Sequence, residues 1–365
     1  MANTGHRVSG SILLYRLYDV AWDIDLAAVE ERIRDSKRQG IDRKRFSKSF
    51  EFTNPPLSLT LKTFEKKLHG DLFHVNAYGK AYEYGVLSII FEVPVHEIEI
   101  DEFQALSKNL EDFFKEDFRK ELNGLIDVLG DALHQVCPLR FEEDYTVYYL
   151  KQLRPETASR ELLEVCDIGN LLLYEEGESP PSQATRKELV SASFSYSDSD
   201  LVVLSWDKAL VLEPSGSMDV PDLLEFANAQ LLELRVYDDM LDRELDLMNT
   251  RLIKQASPSV WKIKRYEELA SKVMLTITDL TNITEKIDNS IKVTEDVYYA
   301  RIYSSALSLF KVHQWAESIE RKINIASRIY DMLYRMIYNK RTELLEVVIV
   351  ILIAFEIALI IMLKL

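Results

Sequence analysis

Leu344 to Leu363 reads LLEVVIVILIAFEIALIIML. Eighteen of these twenty residues are apolar. At ~1.5 Å rise per residue a helix of this length spans ~30 Å, the thickness of one bilayer hydrocarbon core. The exceptions are Glu346, close enough to the start to reach the interface, and Glu356, well inside. A carboxylate at mid-helix costs about 3 kcal/mol, whereas each Leu, Ile, Val or Phe contributes about 0.3–0.6 kcal/mol in favour of insertion. The apolar residues outweigh the two acids, so the segment is expected to cross a membrane. The competing reading, a buried helix of a soluble core, fits poorly with a segment that is apolar on every face. Arg335, Lys340 and Arg341 precede the segment and only Lys364 carries charge after it. The positive-inside rule then expects the body on the cytoplasmic side of a bacterial inner membrane, or inside an organelle inner membrane if the source is eukaryotic.

Working back from the anchor, all eleven glycines lie at or before Gly216, and the last proline is Pro258. From Ser259 onward there is no backbone breaker, which predicts long helices. A heptad-like seam runs Leu224, Ala227, Leu231, Leu234, Asp238, Leu241, Leu245, Met248, Leu252, in steps of three and four. Ser257-Pro258 reads as an N-cap and first-turn proline of a new helix. A further seam, Ala316, Ile319, Ile323, Ala326, Tyr330, Leu333, Ile337, leads into the membrane segment with nothing to stop the helix. Trp315 to Leu363 is therefore expected to form a rod of ~73 Å.

The first half is mixed. Strands are predicted at Ile12 to Val20, Leu57 to Phe64, Leu72 to Tyr78, Gly85 to Val93 and Asp144 to Leu150, with Tyr78-Gly79-Lys80 as a turn. Helices are predicted at Leu26 to Ser36, from Asp101 onward, and at Glu161 to Glu176. GESPPSQ around Pro180 reads as a loop and Ser193 to Glu213 as a hairpin. The fold class expected is α+β: a mixed head over 1–221, a long helical hairpin or coiled-coil stalk over 222–343, and one transmembrane anchor over 344–365.

Three stretches carry a family resemblance. DVYYARIYSSALSLFKVHQWAESIERKINIASRIYDMLY, followed by a short basic stretch and LLEVVIVILIAFEI, resembles the family called "required for meiotic nuclear division", also known as domain of unknown function 155. DLFHVNAYGKAYEYGVLSIIFEV looks like its aromatic strand pair, and LSWDKALVLEP with DLLEFANAQLLELRVYDDMLDREL looks like its bacterial branch. The resemblance implies an α/β head, a helical stalk and a C-terminal membrane helix. Organellar members are implicated in supporting translation near the mitochondrial inner membrane as assemblies or tethers. No enzyme activity comes with the family.

The composition narrows the function further. A net charge of −16 argues against direct nucleic-acid binding. Cys137 and Cys166 suit a reducing compartment, as packed thiols or at most one bridge. There is no Walker loop, dinucleotide fingerprint or zinc motif, so no cofactor, metal or catalytic residue is expected. Two acidic groups are weighed. Glu97, Glu99 and Asp101 alternate and would share a strand face, which a divalent metal or an enzymatic head would use; a solvated face explains them as well. Asp238, Asp239, Asp242 and Asp246 form the second group, with Asp238 and Asp242 one turn apart and Arg235 and Arg243 placed to neutralise the group locally; Asp238 interrupts an apolar seam, a device for fixing register.

The function expected is a membrane-anchored, non-enzymatic scaffold or tether that oligomerises and binds a protein partner. The alternatives are the metal-binding or enzymatic head and an oligomeric pore around Glu356. Oligomerisation is expected to use Asp238, Ala354, Glu356 and Ala358, because a mid-bilayer carboxylate needs a neighbour and Ala354 with Ala358 forms a small-xxx-small pair. Arg335, Lys340 and Arg341 flank the membrane. Arg321 and Arg328 lie too far above it for lipid, given a Debye length of ~8 Å, and call for a protein partner or simply water.

Overall fold

The computed structural model describes residues 6–35, 40–41, 50–52, 54–68, 71–107, 110–156, 159, 162–163, 166–173, 181–254, 267–268, 270–271, 273–275, 277–278, 281, 291–293 and 296–364. Its contacts divide the chain into two units, Met1–Val236 with Lys286–His313, and Tyr237–Glu285 with Gln314–Leu365.

The first unit is built on a nine-stranded sheet. Its strands are β1 (Arg7–Asp19), β3 (Gly40–Ile41), β5 (Leu57–Thr60), β6 (Phe64–Leu68), β7 (Asp71–Ala81), β8 (Val86–Glu99), β10 (Glu142–Arg154), β11 (Leu201–Leu204) and β12 (Lys208–Leu212). The remaining strands are β2 (Ala21–Ile24), which pairs with β9 (Leu133–Val136), and β4 (Phe50–Phe52), which pairs with β13 (Ile291–Val293). The sheet order is β11-β12-β10-β1-β8-β7-β5-β3, with β6 also on β7. Among the described residues every pairing is antiparallel except β10 with β12.

β1 is buried on both faces from Ser11 to Asp19, because the sheet is covered on both sides. Ile12, Leu14 and Tyr18 join one core with Phe91 and with Phe114, Phe118 and Leu122 of helix Leu110–Leu129. Phe91 stacks on Phe118 at 4.0 Å between centroids, a contact that contributes beyond its buried area. The opposite face carries Tyr15 and Tyr145, directly paired across β1 and β10; Tyr145 meets Phe310 edge-on at 5.4 Å. The Asp219–Val236 part of helix Asp219–Lys254 is buried on most of its sides. Its first turn carries Asp219 and Asp222, as the helix dipole favours.

Four expectations are corrected. Tyr78-Gly79-Lys80 is not a turn: Gly79 lies inside β7, opposite Leu59 and Ile89. The chain reverses at Tyr82–Gly85 instead, closed by Tyr82 N donating to Val86 O at 2.9 Å. Gly85 has φ +99° and a Cβ there would lie 1.9 Å from Ala21 O, so this site demands glycine. Leu57 to Phe64 is two strands rather than one, separated by Leu61–Thr63. The alternation at Glu97 is broken by a bulge: Gly10 pairs with Val95 and Val8 with Ile98, and Glu97 takes φ +48°. The breaker-free C-terminal run is interrupted at Phe310 and Lys311, where Lys311 has φ +56°, and earlier by β13. Pairing of β13 with β4 and the capping of helix Val297–Leu309 by Asp296 mark the earlier break, and at the later one Phe310 N donates to Ala306 O and Lys311 N to Ser308 O, all without Gly or Pro. Ser257-Pro258 lies outside the described residues, as does much of Glu161 to Glu176, where Ile168–Leu173 is helical.

In the second unit Met248, Ala270, Val273, Ala326, Leu333 and Ile337 form a small core. Ala326, Leu333 and Ile337 belong to the seam read from sequence. They sit on helix Val312–Lys364, 53 residues without a break.

Candidate functional site

Among the described residues one helix is long and apolar enough to cross a membrane. Its most apolar window has a mean hydropathy of 3.0 and is 0% buried. From Leu344 to Leu363 every residue is exposed, including Ala354, Glu356 and Ala358. Isolated exposed apolar residues are ordinary, whereas five turns of them on all faces are consistent with a membrane anchor. Of the flanking cations, Lys340 pairs with Glu343 at 2.5 Å and Arg341 pairs with Glu267. Arg328 and Arg335 are exposed on the same helix, and Arg321 lies 3.7 Å from Glu317.

Asp238 is placed differently from the sequence expectation. Its carboxylate lies 2.7 Å from Lys322 Nζ and accepts from Ser318 Oγ at 2.8 Å. Lys322 also reaches Asp242 at 2.7 Å. Burial works against the Lys322 ammonium, but bonds to Asp238 and Asp242 prevail and hold its pKa above the usual lysine value. Of the arginines expected to neutralise this acidic group, Arg243 pairs with one of its members, Asp239, whereas Arg235 goes to Glu143. The polar residue in the apolar seam is thus an ion pair within one chain.

The head holds a cleft of about 990 Å³. It opens at the end of the sheet where the parallel strands β10 and β12 both begin. Ser205 N donates to Lys208 O at 2.7 Å and Thr146 N to Asp207 O at 3.0 Å. That tight connection pushes Trp206 outward, 62% exposed. Thr146 Oγ1 donates to Glu111 at the start of helix Leu110–Leu129. Burial pushes the Glu111 carboxyl up; Asp144 and Asp207 add to this, while Thr146 and Lys208 oppose it. Arg16 pairs with Glu142 at 3.1 Å and Lys208 with Asp207 at 3.0 Å. Of the three alternating acids, Asp101 lines this cleft, whereas Glu97 pairs with Arg154. Among the described residues no group of three or more His, Cys, Asp or Glu is arranged to hold a metal ion. Cys137 and Cys166 are free thiols.

A second polar feature is buried outright. Ser58, Lys80 and Ser88 are opposite one another across β5, β7 and β8. Lys80 is 4% exposed and Glu225 1%. The Lys80 ammonium lies 2.8 Å from Asp222 and 2.5 Å from Glu225. Burial opposes its charge, but the two carboxylates prevail and keep it protonated. Farther along the same helix Arg235 pairs with Glu143 of β10. Two ion pairs thereby fix where this helix crosses the sheet. Sequence reasoning missed Lys80 and Glu225; the available signal was a lone lysine in a run otherwise suited to a buried strand.

A family model described as "Uncharacterized protein MJ0711, N-terminal domain" matches residues 9–219, more than half of the chain. The chain belongs to this family. It is 29% identical over 222 residues to "Uncharacterized protein MJ0711" of Methanocaldococcus jannaschii, a match covering 60% of this chain and 66% of the relative, just under two thirds. No solved structure matches the chain. The MJ0711 N-terminal domain region coincides with the sheet from β1 to β12 and ends where helix Asp219–Lys254 starts, so it contains Lys80 and most of the cleft.

Proposed function

We propose that this chain is a membrane-anchored, non-enzymatic scaffold that oligomerises and binds a protein partner through its head and a coiled-coil stalk. The observation that carries the reading is the helix around Leu344–Leu363, apolar and exposed on every side. The body lies on the cytoplasmic side, because Arg335, Lys340 and Arg341 precede the span and one lysine follows it; the bacterial inner membrane fits this orientation. The likeness to the required-for-meiotic-nuclear-division family supports the same arrangement of head, stalk and tail. Asp238 is paired inside the chain, so association is assigned to the span, where Glu356 needs a partner and Ala354 and Ala358 permit close helix approach. Arg321 and Arg328 face the protein partner.

The test uses the full chain. It is expected to stay with membranes after alkaline carbonate treatment, and to elute in mild detergent as a multimer by light scattering. Glu356→Leu is expected to remain inserted and to lose that association. A carbonate-soluble full chain removes the anchor, and a monomer in detergent removes the oligomer.

A further inference from the structure

The second unit carries two charged stripes of opposite sign. Helix Val312–Lys364 exposes Arg321, Arg328 and Arg335, each seven residues from the next, with Ile325 and Met332 exposed between them. Steps of four and three along Arg321, Ile325, Arg328, Met332 and Arg335 make a second seam, separate from the buried one. The 237–254 part of helix Asp219–Lys254 carries Asp239, Asp242 and Asp246, the last two exposed. Among the described residues no ion pair within the chain engages Arg328, Arg335 or Asp246. The two helices run parallel: Asp238 meets Lys322 and, farther along both, Met248 shares a core with Leu333 and Ile337. This sets Asp246 level with Tyr330, about 3 Å along the axis from Arg328. At about 100° per residue, Ile325, Arg328 and Met332 lie about 60–120° to one side of Lys322, while Asp242 and Asp246 turn about 40–80° from Asp238 in the opposite sense. On parallel helices that face each other, opposite turns bring both stripes to the same side of the pair. Arg341, which pairs with Glu267, and Met248, which shares a core with Ala270 and Val273, turn the other way. The 267–273 segment therefore lies behind the charged face.

We propose that this two-stripe face binds a second copy of the chain, with a twofold axis running along the helices. Each arginine stripe then meets the other copy's aspartate stripe at equal height. Arg328 sits beside the partner's Asp246, Arg321 sits beside the partner's Asp239, and Ile325 and Met332 are covered. Arginines alone would repel their own copy; the adjoining aspartates make the face self-complementary. Such a contact is isologous and closes as a dimer. Exposed ion pairs add little free energy in water, so the charges fix register while the apolar side chains and the shared anchor hold the copies together. Two copies held by the same terminal helix keep their stalks at one height. The inference thus rests on the proposed anchor and association, and names what covers Arg321 and Arg328.

The test uses the full chain with Arg328→Lys, which keeps the charge and offers an amine. Unlabelled and isotope-labelled copies are mixed in vesicles of uncharged lipid and treated with a carbodiimide, which joins an amine to a carboxylate in contact. A mixed-isotope peptide pair linking position 328 to Asp246 is expected. Its yield should fall about fivefold in sodium chloride at about 1 M, where screening is nearly complete. Exchanging the charges, Arg328→Glu with Asp246→Lys, should give the same link. Same-isotope pairs alone overturn the proposal. A multimer by light scattering without the mixed link overturns this contact and leaves association through the span standing, whereas a monomer overturns both.

Discussion

Replacing Lys80 by Met removes one ammonium and keeps most of the side-chain volume. Lys80 is 4% exposed and holds Asp222 and Glu225 at 2.8 and 2.5 Å. Without it, two carboxylates face each other beneath helix Asp219–Lys254, one of them 1% exposed. Breaking a buried ion pair from one side costs about 3–5 kcal/mol, because the remaining charge loses its compensation. Methionine recovers some apolar burial, so the expected net loss is about 4 kcal/mol, a large share of the roughly 5–15 kcal/mol that holds a typical domain. The sign of the pH dependence follows from Glu225. Burial already raises its pKa, with Lys80 opposing. Removing Lys80 raises it further, and a carboxyl whose folded pKa exceeds its unfolded value loses stability as pH rises. The deficit should therefore be largest at pH 8 and smaller at pH 5.5, where protonation relieves the stranded acids. Urea unfolding of the full chain in mild detergent, followed by tryptophan fluorescence at both pH values, measures it. Adding Asp222→Asn and Glu225→Gln should recover much of the loss. A deficit below about 1 kcal/mol at pH 8, or one of equal size at both pH values, would refute the reasoning.

Asp19 is 6% exposed, and burial pushes its carboxyl up to about 6; Asp19→Asn should therefore stabilise the chain above pH 7 by up to about 3 kcal/mol and do nothing near pH 4, as thermal melts at the two pH values would show. Asp238→Leu removes one of the two carboxylates that Lys322 meets at 2.7 Å, so a lowered melting temperature is expected, equivalent to about 2 kcal/mol, and an increase would mean that the ion pair is dispensable. Gly85→Ala places a Cβ against Ala21 O at a site with φ +99°, and a loss of about 2 kcal/mol or more is expected in the same unfolding assay.

The terminal helix was legible in the sequence because its length and apolarity are local quantities, twenty consecutive side chains and a fixed rise, and no distant residue is needed to read them. The α+β character of the head was legible for a related reason: strand and helix leave different periods in the chain, seen at Ile12 to Val20 and from Asp101 onward. Turn chemistry was only partly legible. Tyr78-Gly79-Lys80 and Tyr82 to Gly85 both look like turns, and the choice fell to the neighbours of β7, since Gly79 has strands on both sides and Gly85 abuts Ala21. Asp238 could be recognised as an exception in its seam, but its partner is Lys322 on another helix, where local spacing predicted Arg235 or Arg243. The buried lysine and the cleft were decided by tertiary structure alone. Lys80 and Glu225 are 145 residues apart, and Thr146 and Glu111 are 35 apart. Such pairs leave no periodic trace. They meet because helix Leu110–Leu129 starts beside β10 and helix Asp219–Lys254 starts over β7, arrangements that arise only when the whole chain packs.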